Sequence, residues 1–340
     1  MSPTATAPKG RLRRADCSAA GIHRIGRGRG FSYEDPQGRR VDDEETLARI
    51  RELAIPPAWR DVWICTDPLG HIQATGFDAA GRKQYRYHDR WGQRRAARKY
   101  EAMREFARAL PALRRHVKRD VAAEGMPRER ALATAVRLLD LGFFRIGGEE
   151  YAEENESFGV ATVRREHVTR HGDELVFDFP AKSGQRRVQS IRDPAAVAAI
   201  ETMRRRRGGP EDLLAFRDER GRWRDVRSDD VNAYIQEYAG PEFSAKDFRT
   251  WHGTVLAALA LAGEPRPSSQ AAGKRTINRA VKEVAEALGN TPAVCRRSYI
   301  DPRVFDRYRD GETLAIERGH GRVGERRRAR IEAAVLDLVS

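Results

Sequence analysis

Between residues 30 and 88 the apolar positions fall in short extended runs broken by turn chemistry. Phe31-Ser32-Tyr33 runs into Pro36-Gln37-Gly38, residues 62–65 into Asp67-Pro68-Leu69-Gly70, and residues 71–77 into Ala80-Gly81, with residues 83–88 closing the series. Such runs bounded by Gly, Pro and Asp predict β-hairpins, and together a small antiparallel sheet. From Trp91 the period changes. Residues 94–123, 128–144, 194–206, 231–238, 246–262, 271–288 and 326–338 carry apolar positions at helical spacing. One interruption, residues 162–168, 174–182 and 185–191, separated by His171-Gly172-Asp173 and Ser183-Gly184, predicts a three-stranded antiparallel insert with Lys182 at a hairpin tip. The expected fold class is α+β: a β-rich amino-terminal lobe over residues 16–90, a short hinge, and a mainly α-helical domain over residues 91–340. Residues 1–15, rich in Pro, Thr and Ala and then basic, are expected to form a disordered tail.

Charge narrows the partner. The chain carries 64 Lys+Arg against 50 Asp+Glu, a formal net charge of +14, which attracts polyanions and nucleic acid above all. With 340 residues, 40% of them hydrophobic, there is enough chain for two cores. Cys17, Cys65 and Cys295 show no metal-ligand spacing, and their odd number fits a reducing compartment. His88, His116, His167, His171 and His252 show no ligand spacing either, so no metal site is expected. No apolar run approaches the roughly 20 residues of a membrane span, and the expected location is the cytoplasm, at the nucleoid.

The candidate chemistry begins at Tyr299, which follows Leu288-Gly289-Asn290-Thr291-Pro292 and then Arg296-Arg297-Ser298. A phenol attacks phosphorus only when its developing phenolate is stabilised, and guanidinium groups that also hold a phosphate do this. A tyrosine packed after a turn gives the same string. Upstream, Phe144-Arg145-Ile146-Gly147-Gly148 puts an arginine where an amphipathic helix gives out; it suits either a helix cap or an anion. Lys182 is either a solvated charge or a proton donor carried by a hairpin. Lys246-Asp247-Phe248-Arg249-Thr250-Trp251-His252-Gly253 opens a helix, setting Arg249 near backbone N–H groups that favour a phosphate.

Taken in order, Arg145, Lys182, Arg249, Asn290 and Tyr299 resemble the active-site set of the type IB DNA topoisomerases, in particular their poxvirus-like and bacterial branch, over residues 20–310 or so. Two further strings carry the resemblance: Gly81-Arg82-Lys83-Gln84-Tyr85-Arg86-Tyr87-His88 and Glu154-Asn155-Glu156-Ser157-Phe158-Gly159. It implies the catalytic fold shared with tyrosine recombinases, double-stranded DNA as partner, and no cofactor. Tyr299 would attack a phosphodiester to leave a 3′-phosphotyrosine, Arg145 and Arg249 would clamp the nonbridging oxygens, and Lys182 would protonate the departing 5′ oxygen. Because the phosphotyrosine retains the bond energy, neither ATP nor metal is implied. Asn290 stands where many members carry a histidine; its amide can donate the same hydrogen bond but cannot titrate.

Gln84, Tyr85, Tyr87 and Tyr151 match DNA-contacting positions of the family, and strand alternation sets Gln84 and Arg86 on one face with Tyr85 and Tyr87 on the other. A monomer clamping DNA between two lobes is expected. Residues 204–207 and 326–328, both arginine-rich, are expected to be solvated charge or loose phosphate contacts. Two other readings stay open: a tyrosine recombinase, although Lys246 occupies the place of its usual histidine, and a non-catalytic basic DNA-binding protein.

Overall fold

Alternating apolar residues in short strands need a second layer to cover them, and in the amino-terminal unit that layer is one helix. The computed structural model describes residues 10–28, 30–315 and 324–340. It divides into two compact units, Met1–Lys99 and Tyr100–Ser340. In the first, β1 (Ile22–Arg27), β2 (Gly30–Glu34), β3 (Arg60–Ile64), β4 (Ile72–Phe77) and β5 (Lys83–Tyr87) form an antiparallel sheet of order β2-β1-β3-β4-β5. Helix α1 (Glu44–Glu52) is started by Asp43, whose carboxylate accepts from Thr46 N at 2.8 Å. Ile50 of α1 is buried with Ile22, Val62, Ile64 and Ala74. β1 and α1 escaped the pattern reading. β1 places its two isoleucines three apart, Ile22 and Ile25, which is not strand alternation.

Residues 10–15 depart from the tail expectation, whose first nine residues lie outside the described ones. Arg13 forms a parallel bridge with Gly70: Arg13 N donates to Leu69 O and His71 N to Arg13 O, both at 2.9 Å. A backbone offered two such partners is held in place, basic side chains notwithstanding.

A long helix, α2 (Asp89–Val121), carries the chain into the second unit, where it is followed by α3 (Arg128–Gly142), α4 (Glu149–Asn155) and the insert of β6 (Val168–His171), β7 (Glu174–Ala181) and β8 (Gln185–Ile191). Then come α5 (Pro194–Arg204), a small hairpin of β9 (Ala215–Arg217) and β10 (Trp223–Asp225), α6 (Ser228–Ala239), α7 (Ala245–Leu261), α8 (Gln270–Leu288), α9 (Pro292–Ser298), α10 (Arg303–Asp310) and α11 (Glu325–Leu338). The helical core closes around Phe106, edge-on to Phe248 at 4.9 Å and to Phe243 at 5.5 Å.

The insert is three-stranded and antiparallel, in the order β6-β7-β8, but its first strand starts later than the pattern suggested. Residues 162–167 form no strand. The backbone before them is already engaged: Val160 N donates to Arg145 O at 2.9 Å and Ala161 N to Ile146 O at 2.7 Å. Arg164 bridges to Asp212, and a 3₁₀ turn occupies Arg165–His167. Along β7, Leu175, Phe177 and Phe179 alternate inward and are buried.

Candidate active site

Arg145 leaves α3 through a strained turn. Phe143, the residue after the helix, has φ 54°, the left-handed region that a bulky side chain seldom enters. Its ring lies edge-on to His252 at 5.1 Å, and its carbonyl accepts from Arg249 Nη1. Phe144 packs edge-on to Phe177 at 5.1 Å and stacks near Phe179 at 6.2 Å. This contact fixes the β7–β8 hairpin, with Lys182 at its tip, beside Arg145. Truncating a buried phenylalanine costs about 3–5 kcal/mol, so the hairpin is firmly based even though Lys182 itself is exposed. Beyond Arg145, a Cβ on Gly159 would lie 2.3 Å from Gly147 N, so the glycine of the Glu154-to-Gly159 string permits the two loops to touch.

Arg249 lies in the second turn of α7, and the first turn of that helix is not open to a phosphate as the sequence suggested. Ser244 and Asp247 occupy it with a capping box, Ser244 N donating to Asp247 Oδ2 at 2.9 Å. The Arg249 side chain turns inward instead and is only 4% exposed.

Three guanidinium groups meet at the end of α8. Arg187 Nη2 donates to Ala287 O at 2.7 Å, Arg249 Nη2 to Leu288 O at 2.7 Å, and Arg145 Nη2 to Gly289 O at 3.1 Å. The last carbonyls of a helix have no partner within it and form the negative end of its dipole, so three consecutive ones make a template for cations. Gly289 turns the chain with φ 59°, and Asn290 N donates back to Ala285 O at 3.0 Å. Helix termination thus uses the Asn290 backbone and leaves its side chain for the site. Arg145 Nη2 donates to Asn290 Oδ1 at 2.6 Å, and Asn290 Nδ2 is buried without a hydrogen-bond partner.

Tyr299 ends α9, its N–H donating to Cys295 O at 2.9 Å. Its ring lies 5.2 Å from Arg249 Cζ. Thr254 Oγ1 approaches Tyr299 O at 3.4 Å and accepts from Asp301 N at 3.1 Å. A Cβ on Gly253 would stand 2.5 Å from Tyr299 O, so only glycine lets α7 approach this closely. Gly253 and Thr254 are the positioning residues that sequence reasoning passed over.

Burial, joined by the charge of Arg145, draws the Arg249 guanidinium down to about 10, opposed by Tyr299. Burial and Arg145 lower Arg187 likewise. Among the described residues, no carboxylate pairs with Arg145, Arg187 or Arg249. Arg145, Lys182, Arg187 and Arg249 line one cleft of about 160 Å³. Arg145 and Arg187, half-buried, and Arg249, buried, converge without a carboxylate partner among the described residues, which is costly unless an anion enters.

A match to the catalytic core of eukaryotic DNA topoisomerase I covers residues 88–316, and one to the amino-terminal domain of bacterial DNA topoisomerase IB covers residues 30–78. The DNA topoisomerase 1B of Acanthamoeba polyphaga mimivirus is 32% identical over 302 residues, spanning 87% of this chain and 90% of the viral protein. The chain belongs to the type IB DNA topoisomerase family. The enzyme is also similar to the DNA topoisomerase 1B of vaccinia virus, at 21% identity over 81% of this chain and 86% of the viral one. The DNA topoisomerase 1 of Schizosaccharomyces pombe is 27% identical over 61% of the chain and 25% of its own length. As a type IB topoisomerase the enzyme is an isomerase, and its β-rich amino-terminal unit matches the family's own rather than leaving room for a recombinase.

Arg205, Arg207, Arg326 and Arg327 are exposed as expected, but two members of these arginine runs, Arg206 and Arg328, are not. Arg206 is buried, donating from Nη1 to Met203 O at 2.7 Å and Leu213 O at 2.9 Å, while Arg204 and Arg205 both pair with Glu201 at 2.8 Å. Arg328 reaches Asp140 at 2.6 Å in the interior. A buried guanidinium is satisfied by several carbonyl or carboxylate acceptors, and charge counting along a chain cannot reveal those acceptors. On β5, Tyr85 and Tyr87 are exposed and stacked at 6.1 Å. Gln84 sits on the other face, donating to Asp78 Oδ2 at 3.0 Å. The Tyr151 side chain lies outside the described residues.

Proposed function

We propose that the enzyme relaxes supercoiled DNA by cutting one strand with Tyr299 and resealing it. The supporting observation is the convergence of Arg145, Arg187 and Arg249 on the α8 carbonyls beside the Tyr299 ring, with no carboxylate among the described residues to neutralise them. In this reading the Tyr299 oxygen loses its proton to solvent and attacks phosphorus, while the bond from phosphorus to the 5′ oxygen breaks. Arg249 stabilises the developing phenolate and, with Arg145, the nonbridging oxygens of the pentacoordinate state. The unpartnered Asn290 Nδ2 donates to one of those oxygens. Lys182 supplies the proton that the departing 5′ oxygen takes. Religation runs the same steps backwards, with the 5′-hydroxyl as nucleophile. The phosphotyrosine conserves the bond energy, so no nucleotide is consumed.

The exposed aromatic pair Tyr85 and Tyr87, flanked by Lys83 6.0 Å from the Tyr85 ring and Arg95 5.7 Å from the Tyr87 ring, is proposed to face the duplex, with Gln84 and Tyr151 as further contacts. The enzyme is proposed to act as a monomer enclosing DNA between its amino-terminal lobe, residues 16–90, and its catalytic domain, in a DNA-containing compartment such as the nucleoid. No described helix is long and apolar enough to cross a membrane.

Plasmid relaxation with EDTA and without nucleotide tests the proposal. The wild type should remove positive and negative supercoils, and Tyr299→Phe should bind but form no covalent adduct. Relaxation that requires metal, or an adduct that survives in Tyr299→Phe, would reject it.

A further inference from the structure

Arg187 has no counterpart among the five residues that the family resemblance brings out, yet it is built into the same template. Its Nη2 donates to Ala287 O at 2.7 Å and to Gln189 Oε1 at 3.0 Å. It lines the cleft with Lys182, Arg145 and Arg249, and a Cβ on Gly289 would stand 3.2 Å from its Nη1. Among the described residues, the carboxylate on the cleft wall is that of Glu286, which lies 3.9 Å from Lys282 on its own helix.

Charge counting gives this arrangement its meaning. A phosphodiester carries one negative charge, and its pentacoordinate state about two. Arg145, Lys182 and Arg249 already exceed that. Arg186, also on the wall, is paired with Asp178, whereas Arg187 is a further half-buried cation with no carboxylate partner among the described residues, and a single phosphate leaves its charge unmatched.

We propose that Arg187 binds the phosphate next to the scissile one on the cleaved strand, so that the α8 terminus reads two consecutive phosphates. The proposal rests on the reading of Tyr299, Arg145 and Arg249 as the cleavage site. Arg187 thereby sets the strand's register in the cleft, whereas Arg145 and Arg249 act on the reacting group.

The test uses duplex substrates carrying one uncharged methylphosphonate at either phosphate flanking the cleavage site. Single-turnover cleavage is measured for the full-length wild type, Arg187→Met and Arg187→Gln. The glutamine amide can still donate to Ala287 O, which separates support of the helix end from charge. Neutralising one of the two neighbours should slow the wild type about tenfold or more, the scale of a lost charged hydrogen bond. Both variants should be slowed similarly on unmodified DNA and lose nothing further at that phosphate. Variants that remain as sensitive as the wild type at both neighbours, or a wild type indifferent to both, overturn the proposal. If Arg187→Met does not fold, Arg187→Gln and the wild type alone decide it. A wild type that forms no adduct on unmodified DNA removes the catalytic reading and this proposal with it, whereas an active enzyme with Arg187-independent phosphates removes only this one.

Discussion

Arg145 Nη2 and Asn290 Oδ1 are 2.6 Å apart, and that bond orients the Asn290 carboxamide so that Nδ2, its remaining donor group, is buried and unpartnered. A buried amide donor left without an acceptor is destabilising by about 1–3 kcal/mol, which a phosphate oxygen would offset.

Asn290→Ala is therefore expected to melt close to the wild-type temperature, because Gly289 and the Asn290 backbone end the helix. Its cleavage and religation should both slow by roughly one to two orders of magnitude, since one transition state serves both directions. Melting curves and single-turnover rates on the same sample check this; a destabilised but fast variant would return Asn290 to a purely structural role.

Gly253→Ala inverts the usual helix rule. Alanine ordinarily stabilises a helix interior by about 1 kcal/mol over glycine, but here its methyl would press on Tyr299 O at 2.5 Å. Cleavage should fall by at least roughly tenfold, with DNA affinity nearly intact, as expected when a nucleophile is displaced by a few tenths of an ångström. Rapid-quench cleavage beside a binding titration separates the two effects; an unchanged cleavage rate would show that the approach is not critical.

Lys182→Ala should be slow on ordinary DNA and largely restored on a substrate with sulfur at the bridging 5′ position, because a thiolate leaves without a proton. Equal defects on both substrates would assign Lys182 to phosphate binding instead.

Stability should fall with acid in two stages. His252 is buried and held below the usual imidazole range, chiefly by loss of hydration. The unfolded chain binds a proton near pH 6.5 where the folded one does not, so stability starts to decline as pH drops through that region. Asp140 follows. Burial alone would raise its pKa, but Arg328 at 2.6 Å and Arg114 at 2.9 Å hold it well below the carboxylate range. That contribution is complete above about pH 4 and is lost as pH falls further. Urea unfolding across pH should show both stages, and His252→Gln should diminish the first, to which His71, His88 and His167, also lowered by burial, contribute. Asp140→Asn should be destabilising at neutral pH by less than the about 3–5 kcal/mol of a fully broken buried pair, because Arg114 and Arg328 each keep Glu332 as a partner. Equal stability of Asp140→Asn and wild type would contradict the network's assigned strength.

Extended runs bounded by turn residues were enough to find β2 to β5 and the β7–β8 hairpin, and helical spacing of apolar positions was enough to find the long helices. The spacing of chemically distinct residues from Arg145 to Tyr299 was enough to point to the family. β1, with its isoleucines three apart, α1 and the short α9 and α10 stayed hidden, since so few residues establish no period. Only the tertiary structure could bring Ala287, Leu288 and Gly289 before three arginines drawn from a strand, a loop and another helix. The same limit explains why Arg328 read as surface charge and is in fact bound to Asp140, 188 residues away. A sequence records which groups are cations, whereas which carbonyls and carboxylates satisfy them depends on where distant helix ends meet.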